Sequence, residues 1–237
     1  DDLGDEVAVW GVSYEAASSY WQDGYAMALP DRAMNLLPLL TNTAGLATGD
    51  IVLIGHSLGG LVIKQLLRLA DDERGSDARI GSFIRRVHKV VFIATPHFGS
   101  DQASWANKLA YLFRPRETTA GLGRNDANLR ELNRWYRTFS HENEISNLVL
   151  YETQAVSVGL SIGTIVKPDS SDPGLPEPVT IIPLEADHRS IVHPKNRSSE
   201  VYFHIHNFIS DPTKGAHRDT YVSARLDSLK SAVEGQT

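Results

Sequence analysis

The sequence predicts an α/β fold built on a mostly parallel sheet with helices on both faces, and three observations carry that prediction. Short, β-branched, apolar runs recur along the chain, most of them continuously hydrophobic, as strands covered on both faces need to be. Helix-length segments with an apolar stripe separate them. One of the strand-like runs ends in Gly-x-Ser-x-Gly and passes directly into an apolar helix.

Taken in order, the predicted strands are Val7 to Tyr14, Ile51 to Ile54, Lys89 to Thr95, Leu148 to Glu152, Gly163 to Lys167 and Val179 to Leu184. A helix is expected over Asp31 to Ala47, with Ala33, Leu36, Leu37, Leu40 and Ala44 on one face. Another spans Leu58 to Ala70, rich in Leu, Ile and Val, with Gln65 and Arg68 left for solvent. Alternating strands and helices imply right-handed βαβ units and an open, doubly wound sheet. Pro168 to Pro178 is turn chemistry throughout, a loop beyond a strand end, where such sheets place their function. Val201 to Ile209 reads as the last helix of the sheet. After Asp211-Pro212 the chain turns polar and then sets Val222, Leu226, Leu229 and Val233 at helical spacing.

At 237 residues, 41% hydrophobic and 22% charged, the chain has material for a sizeable core and matches no disordered or fibrous composition. Its 23 Lys and Arg against 29 Asp and Glu leave a charge of -6 with no dense basic run, which argues against nucleic acid as a partner. The absence of cysteine removes disulfides, thiolate nucleophiles and Cys-based metal sites, and decides no compartment. The longest apolar stretches, such as Val90 to Ala94, are too short to span a bilayer. Because residue 1 is not Met, a piece of a longer protein is one expectation.

The chemistry centres on Gly55-His56-Ser57-Leu58-Gly59-Gly60. A strand, a tight glycine-lined turn and a helix are what a nucleophile elbow requires, with Ser57 lifted over the carboxyl edge of the sheet. The helix N-terminus beneath it offers free amides to a developing oxyanion, that of Leu58 first. Neither Gly-x-Gly-x-x-Gly nor a Gly-Lys-Ser/Thr ending accompanies it, so a nucleotide loop has no support.

A serine hydroxyl needs a base, usually histidine held by a carboxylate, and in such sheets the order along the chain is Ser, acid, His. His188, just after the strand ending at Leu184, fits the base best, and His193 is its nearest rival. His204 and His206 fall in the last helix, where a structural role is the default. For the acid, Asp169 and Asp172 both follow the strand ending at Lys167, and Asp169 is preferred because it sits closer to the strand tip. Asp187 reads as a solvated or loop-capping residue. His97, in Thr95-Pro96-His97-Phe98-Gly99-Ser100 at the tip of the next strand, either belongs to a capped strand end or braces the elbow by a hydrogen bond. No carboxylate spacing around these histidines matches a catalytic zinc site.

These blocks, Gly55 to Val62, Thr95 to Ser100, Asp169 to Gly174 and Ala186 to His188 with Val192-His-Pro194, resemble those of lipase-like α/β-hydrolases, the group of PGAP-like and SERAC-like serine hydrolases. The resemblance covers roughly residues 7 to 210. It implies an α/β-hydrolase domain over 1–210, followed by a C-terminal linker and helix over 211–237. It also implies a serine esterase or lipase acting on a small-molecule or lipid ester, with Ser57 as nucleophile, His188 as base and the acid in the 169 to 172 loop. No cofactor is needed. Relatives of this type often sit as one module of a larger protein. The family's early strand ending in His-Gly, whose loop supplies a second oxyanion N–H, has no counterpart before Val7. The fold is therefore expected to lack its first strands, with that part outside this chain or the oxyanion hole incomplete, and one missing donor costs about 100-fold or more in turnover.

Two functions compete with hydrolysis. One is a catalytically compromised hydrolase fold serving as an interaction module, and the other is acyl transfer to an acceptor other than water. Trp105, Leu109, Tyr111, Leu112, Phe113, Trp135 and Tyr136 either cap the site over a greasy acyl chain or belong to the core.

Overall fold

A computed structural model describes residues 3, 7–12, 29–97, 126–158, 160–163, 173–175 and 179–212. In chain order its elements are α1 (Leu29–Asn42), β1 (Ile51–His56), α2 (Leu58–Glu73), α3 (Ala78–Arg86), β2 (Val87–Ile93), α4 (Asp126–Glu142), β3 (Ser146–Glu152), β4 (Val156–Val158), β5 (Leu160–Gly163), β6 (Val179–Leu184) and α5 (Glu200–Ser210). Short 3-10 turns lie at Ala44–Leu46 and Ser190–Val192.

Four strands form one sheet in the order β1-β2-β3-β6, every neighbouring pair parallel. The unbroken apolar runs have a direct explanation there. Along β2, Val90 and Phe92 enter a core with Ala33 and Leu37 of α1, Leu66 and Leu67 of α2, Phe83 of α3 and Tyr136 of α4. The alternate residues Val91 and Ile93 enter a second core with Leu148, Leu184, and Val201 and Phe208 of α5. Successive side chains of a strand face opposite ways, so a strand covered on both faces must be apolar at every position.

Several expected elements end elsewhere. α1 stops at Asn42 instead of Ala47, where Thr43 turns extended (φ -77°, ψ 116°), and side chains bond the carbonyls of its last turns: Thr41 Oγ1–H donates to Leu37 O (2.8 Å), Asn42 Nδ2–H to Pro38 O (2.7 Å) and Thr43 Oγ1–H to Leu39 O (2.6 Å). Ala44 thus leaves the apolar face and is exposed. Val7 to Val12 form no strand and are exposed, while Ser13 and Tyr14 lie outside the described residues. Gly163 ends β5, which pairs antiparallel with β4 apart from the main sheet, and 164–167 lie outside the described residues. Among the described strands, β6 lies against the edge of β3 away from β2. The terminal segment from 213 onward also lies outside them. Among the described residues no helix is long and apolar enough to cross a membrane.

Candidate active site

The strand β1 ends at His56, and Ser57 turns the chain into α2 with φ 53° and ψ -123°. A positive φ on a residue with a Cβ costs about 1–3 kcal/mol and persists only where its surroundings fix it. Here they do. The Ser57 amide donates to Ile93 O of the neighbouring strand (2.8 Å), and Gly60 N–H donates to Ser57 O (3.1 Å). A Cβ on Gly55 would stand 2.7 Å from Gly60 N and 2.8 Å from the carbonyl carbon of Gly59, so strand and helix approach too closely for any side chain. One on Gly60 would collide with Thr95 Oγ1 and lie 2.6 Å from Thr95 Cγ2. The second glycine of the pair is thus required by the tip of β2, which adds a reason for the run Gly59-Gly60. Leu58 opens α2, and the first amides of an α-helix have no acceptor within the helix.

Beside Ser57 stands His188, in the turn that follows β6. Its Nε2 is 3.0 Å from Ser57 Oγ. Its Nδ1 is 3.2 Å and 3.1 Å from the two oxygens of Glu152, the last residue of β3. All three side chains are sealed from solvent, Ser57 at 6%, His188 at 1% and Glu152 at 0% exposure. The imidazole therefore lies between a hydroxyl and a carboxylate. Glu152 is opposite Leu184 in the β3–β6 register, and His188 follows four residues beyond Leu184, so adjacent parallel strands deliver acid and imidazole to the same edge.

Glu152 is not among the acids that the sequence puts forward. Asp169 and Asp172 lie outside the described residues, and the carboxylate on Nδ1 is that of Glu152. Its signal was present as an acidic residue closing a predicted strand between Ser57 and His188 in chain order. Asp187 caps the loop as expected: its Oδ1 accepts from the Arg189 and Ser190 amides, both at 2.8 Å. His193 follows the Ser190–Val192 turn, and the ring that meets Ser57 Oγ is that of His188.

His97 reaches the nucleophile helix by another route. Ala94, at φ 48°, bends the chain after β2 so that Thr95, Pro96 and His97 are buried. His97 Nδ1 lies 2.7 Å from Lys64 Nζ, which also donates to Asn133 Oδ1 of α4 (2.5 Å). Asn133 Nδ2–H in turn donates to Pro173 O (3.0 Å). Lys64 sits over the rings of Phe92 and Tyr136 at 5.3 and 5.2 Å, a cradle that suits an amine taken out of water. Burial holds the Lys64 ammonium well below its usual range, and burial together with Lys64 lowers the His97 imidazole well below its own. His97 thus braces the helix behind Ser57 through Lys64, two turns into α2. Tyr136 belongs to the core under the sheet, its hydroxyl donating to Asn147 Oδ1 (2.7 Å), and Trp135 stacks on Phe139 at 4.7 Å. The other aromatic candidates for a cap, from Trp105 to Phe113, lie outside the described residues. On α5, His206 stacks on Tyr202 and His204 meets Phe203 edge-on. Among the described residues no three His, Asp or Glu side chains gather as a metal set.

Residues 38–115 match the family described as "Putative serine esterase (DUF676)". The chain is similar to Protein SERAC1 of Danio rerio, 26% identical over 213 residues that make up 87% of this chain and 31% of that protein. It is similar to Protein SERAC1 of Homo sapiens, 26% identical over 203 residues, 84% of this chain and 30% of that one. The chain therefore spans about a third of the length of these curated relatives. A solved lipase-esterase related protein from Clostridium acetobutylicum ATCC 824 aligns at a TM-score of 0.40 and 15% identity, covering 76% of this chain and 73% of that one. Four parallel strands with helices against both faces make the α/β arrangement that the sequence predicts, and residues 38–115 carry the chain's resemblance to serine esterases.

Proposed function

We propose that this α/β-hydrolase domain is a serine esterase that cleaves carboxylic esters, lipid esters included, through Ser57, His188 and Glu152. The observation that carries the reading is the single imidazole bridging Ser57 Oγ and the Glu152 carboxylate, all three buried. His188 Nε2 takes the proton as Ser57 Oγ attacks the ester carbonyl carbon. Glu152, accepting from Nδ1–H, keeps the proton-accepting nitrogen turned to Ser57 and stabilises the imidazolium that forms. The carbonyl oxygen, now negative, receives the Leu58 N–H at the start of α2. Nε2–H then passes its proton to the departing alcohol oxygen, leaving the acyl group on Ser57. Water attacks that acyl carbon by the same proton route in reverse, releasing the acid and restoring the hydroxyl.

Glu152 takes the place the sequence reading gave to Asp169. The role of Leu58 and the assignment of 1–210 to the catalytic domain belong to the same proposal, as do further domains in the full-length protein. A fluorophosphonate probe tests it. Ser57 is modified in the unaltered chain and no label enters a Ser57→Ala variant, whereas a scaffold that has kept only the fold takes up no specific label in either. Turnover of short- and long-chain p-nitrophenyl esters then reads the acyl preference, and competition by added alcohols separates hydrolysis from acyl transfer.

A further inference from the structure

We infer that His56, the residue immediately before Ser57, is a positioning residue that holds the backbone of the base and so keeps His188 in register with the hydroxyl. The inference rests on the triad reading above and deepens it.

His56 closes β1, opposite Ile93 of β2, and its half-buried side chain reaches the turn after β6. Its Nε2 lies 3.0 Å from the carbonyl oxygen of His188, and the two rings are 5.0 Å apart, tilted by 41°. A carbonyl oxygen only accepts, so the proton must sit on His56 Nε2. His188 is then held at three points. Its Nε2 meets Ser57, its Nδ1 meets Glu152, and its peptide carbonyl meets His56. The Asp187 carboxylate and the Ser190 hydroxyl, which accepts from Asp187 N–H at 3.0 Å, shape the same turn from within. The His56 bond ties that turn to the strand whose next residue is Ser57. One dipeptide thus carries the nucleophile and a strut for its base.

The charges around His56 suit a neutral donor. It faces His188, Glu152 and His193, and burial first, then His188, lowers its pKa to about 4. His188 becomes positive when it takes the Ser57 proton, and a second charged imidazole 5.0 Å away would oppose that step. A neutral Nε2–H tautomer leaves it unopposed.

The experiment compares the full chain with His56→Phe, which keeps the ring volume and loses the donor, and with His56→Gln, which keeps an N–H at similar reach. Histidine side-chain 1H–15N correlation spectra at pH 7 should show His56 as the neutral Nε2–H tautomer, and the His188 ring signals should move in the Phe variant and largely return in the Gln variant. The fluorophosphonate labelling rate of Ser57 should fall about 10- to 100-fold in the Phe variant, the scale expected for a misplaced catalytic group, with its pH midpoint displaced. Gln should recover most of that loss. Unchanged labelling and unchanged His188 signals in the Phe variant overturn the inference, as does an Nδ1–H tautomer for His56. If the unaltered chain takes up no label, the esterase reading fails, and the spectra still decide whether His56 positions His188.

Discussion

Both carboxylate oxygens of Glu152 lie within reach of one atom of His188, Nδ1, at 3.2 and 3.1 Å, in a place where neither residue touches solvent. An acceptor so placed fixes which ring nitrogen carries the proton, and therefore which one is free to take a proton from Ser57.

Glu152→Gln keeps the size of that side chain and removes its charge. It should lower the labelling rate at Ser57, and any ester turnover, by about 10³- to 10⁴-fold, the range known for neutralising a triad acid. Asp169→Asn should change either rate by no more than about threefold, on the scale of an ordinary surface substitution. Equal losses in the two variants would return the acid to the 169 loop.

Gly60→Ala pushes a methyl group into Thr95 and lies within 2.9 Å of Phe92. Overpacking of this kind should destabilise the protein by about 1–3 kcal/mol in urea unfolding. Adding Thr95→Ala should restore about half of the loss, because the closest atoms belong to Thr95, and additive effects of the two changes would argue against that contact.

Lys64→Met keeps the stem and removes the amine that meets His97 Nδ1 and Asn133 Oδ1. Stranding those two buried atoms should cost about 1–3 kcal/mol each. The gap should widen as pH rises from 7 to 9. The folded-state affinity of Lys64 for its proton lies well below the unfolded value of 10.5, so the unfolded chain binds the extra proton and raising pH stabilises only the unaltered protein. A gap that stays constant over this interval would mean a lysine that keeps its charge in the fold.

On the acid side the sign is set by His56, lowered to about 4 from 6.5, and by His97, lowered further by burial and Lys64. Each is neutral in the fold and takes up a proton on unfolding, so stability falls as pH drops from 6.5 toward 4. Thermal unfolding should show a decline across that interval that is shallower in His56→Gln, which has no imidazole at that position to titrate. An unchanged slope in that variant would place the linkage at other groups.

The serine elbow was legible because its requirements are local. Gly55, Ser57 and the helix starting at Leu58 are neighbours in the chain, and a tight turn between a strand and a helix restricts which residues fit. That His188 stands beside Ser57 was legible from its place after the strand ending at Leu184. The strands at 51, 89, 148 and 179 were legible because burial on both faces requires uninterrupted apolar residues, which few other structures do.

What the sequence by itself determined is the α/β alternation, the strained serine at the mouth of α2 and the histidine that stands beside it. The tertiary structure decided which carboxylate meets the His188 ring, since Glu152 and Asp169 both precede His188 and only strand order brings a particular carboxylate to its Nδ1. Pairing of β3 with β6 makes that carboxylate Glu152. The same holds for Lys64 against His97 and His56 against the His188 carbonyl, contacts spanning 33 and 132 residues. Periodicity and turn chemistry report what a residue needs from its near neighbours; partners brought together by sheet order are fixed only when the strands pair.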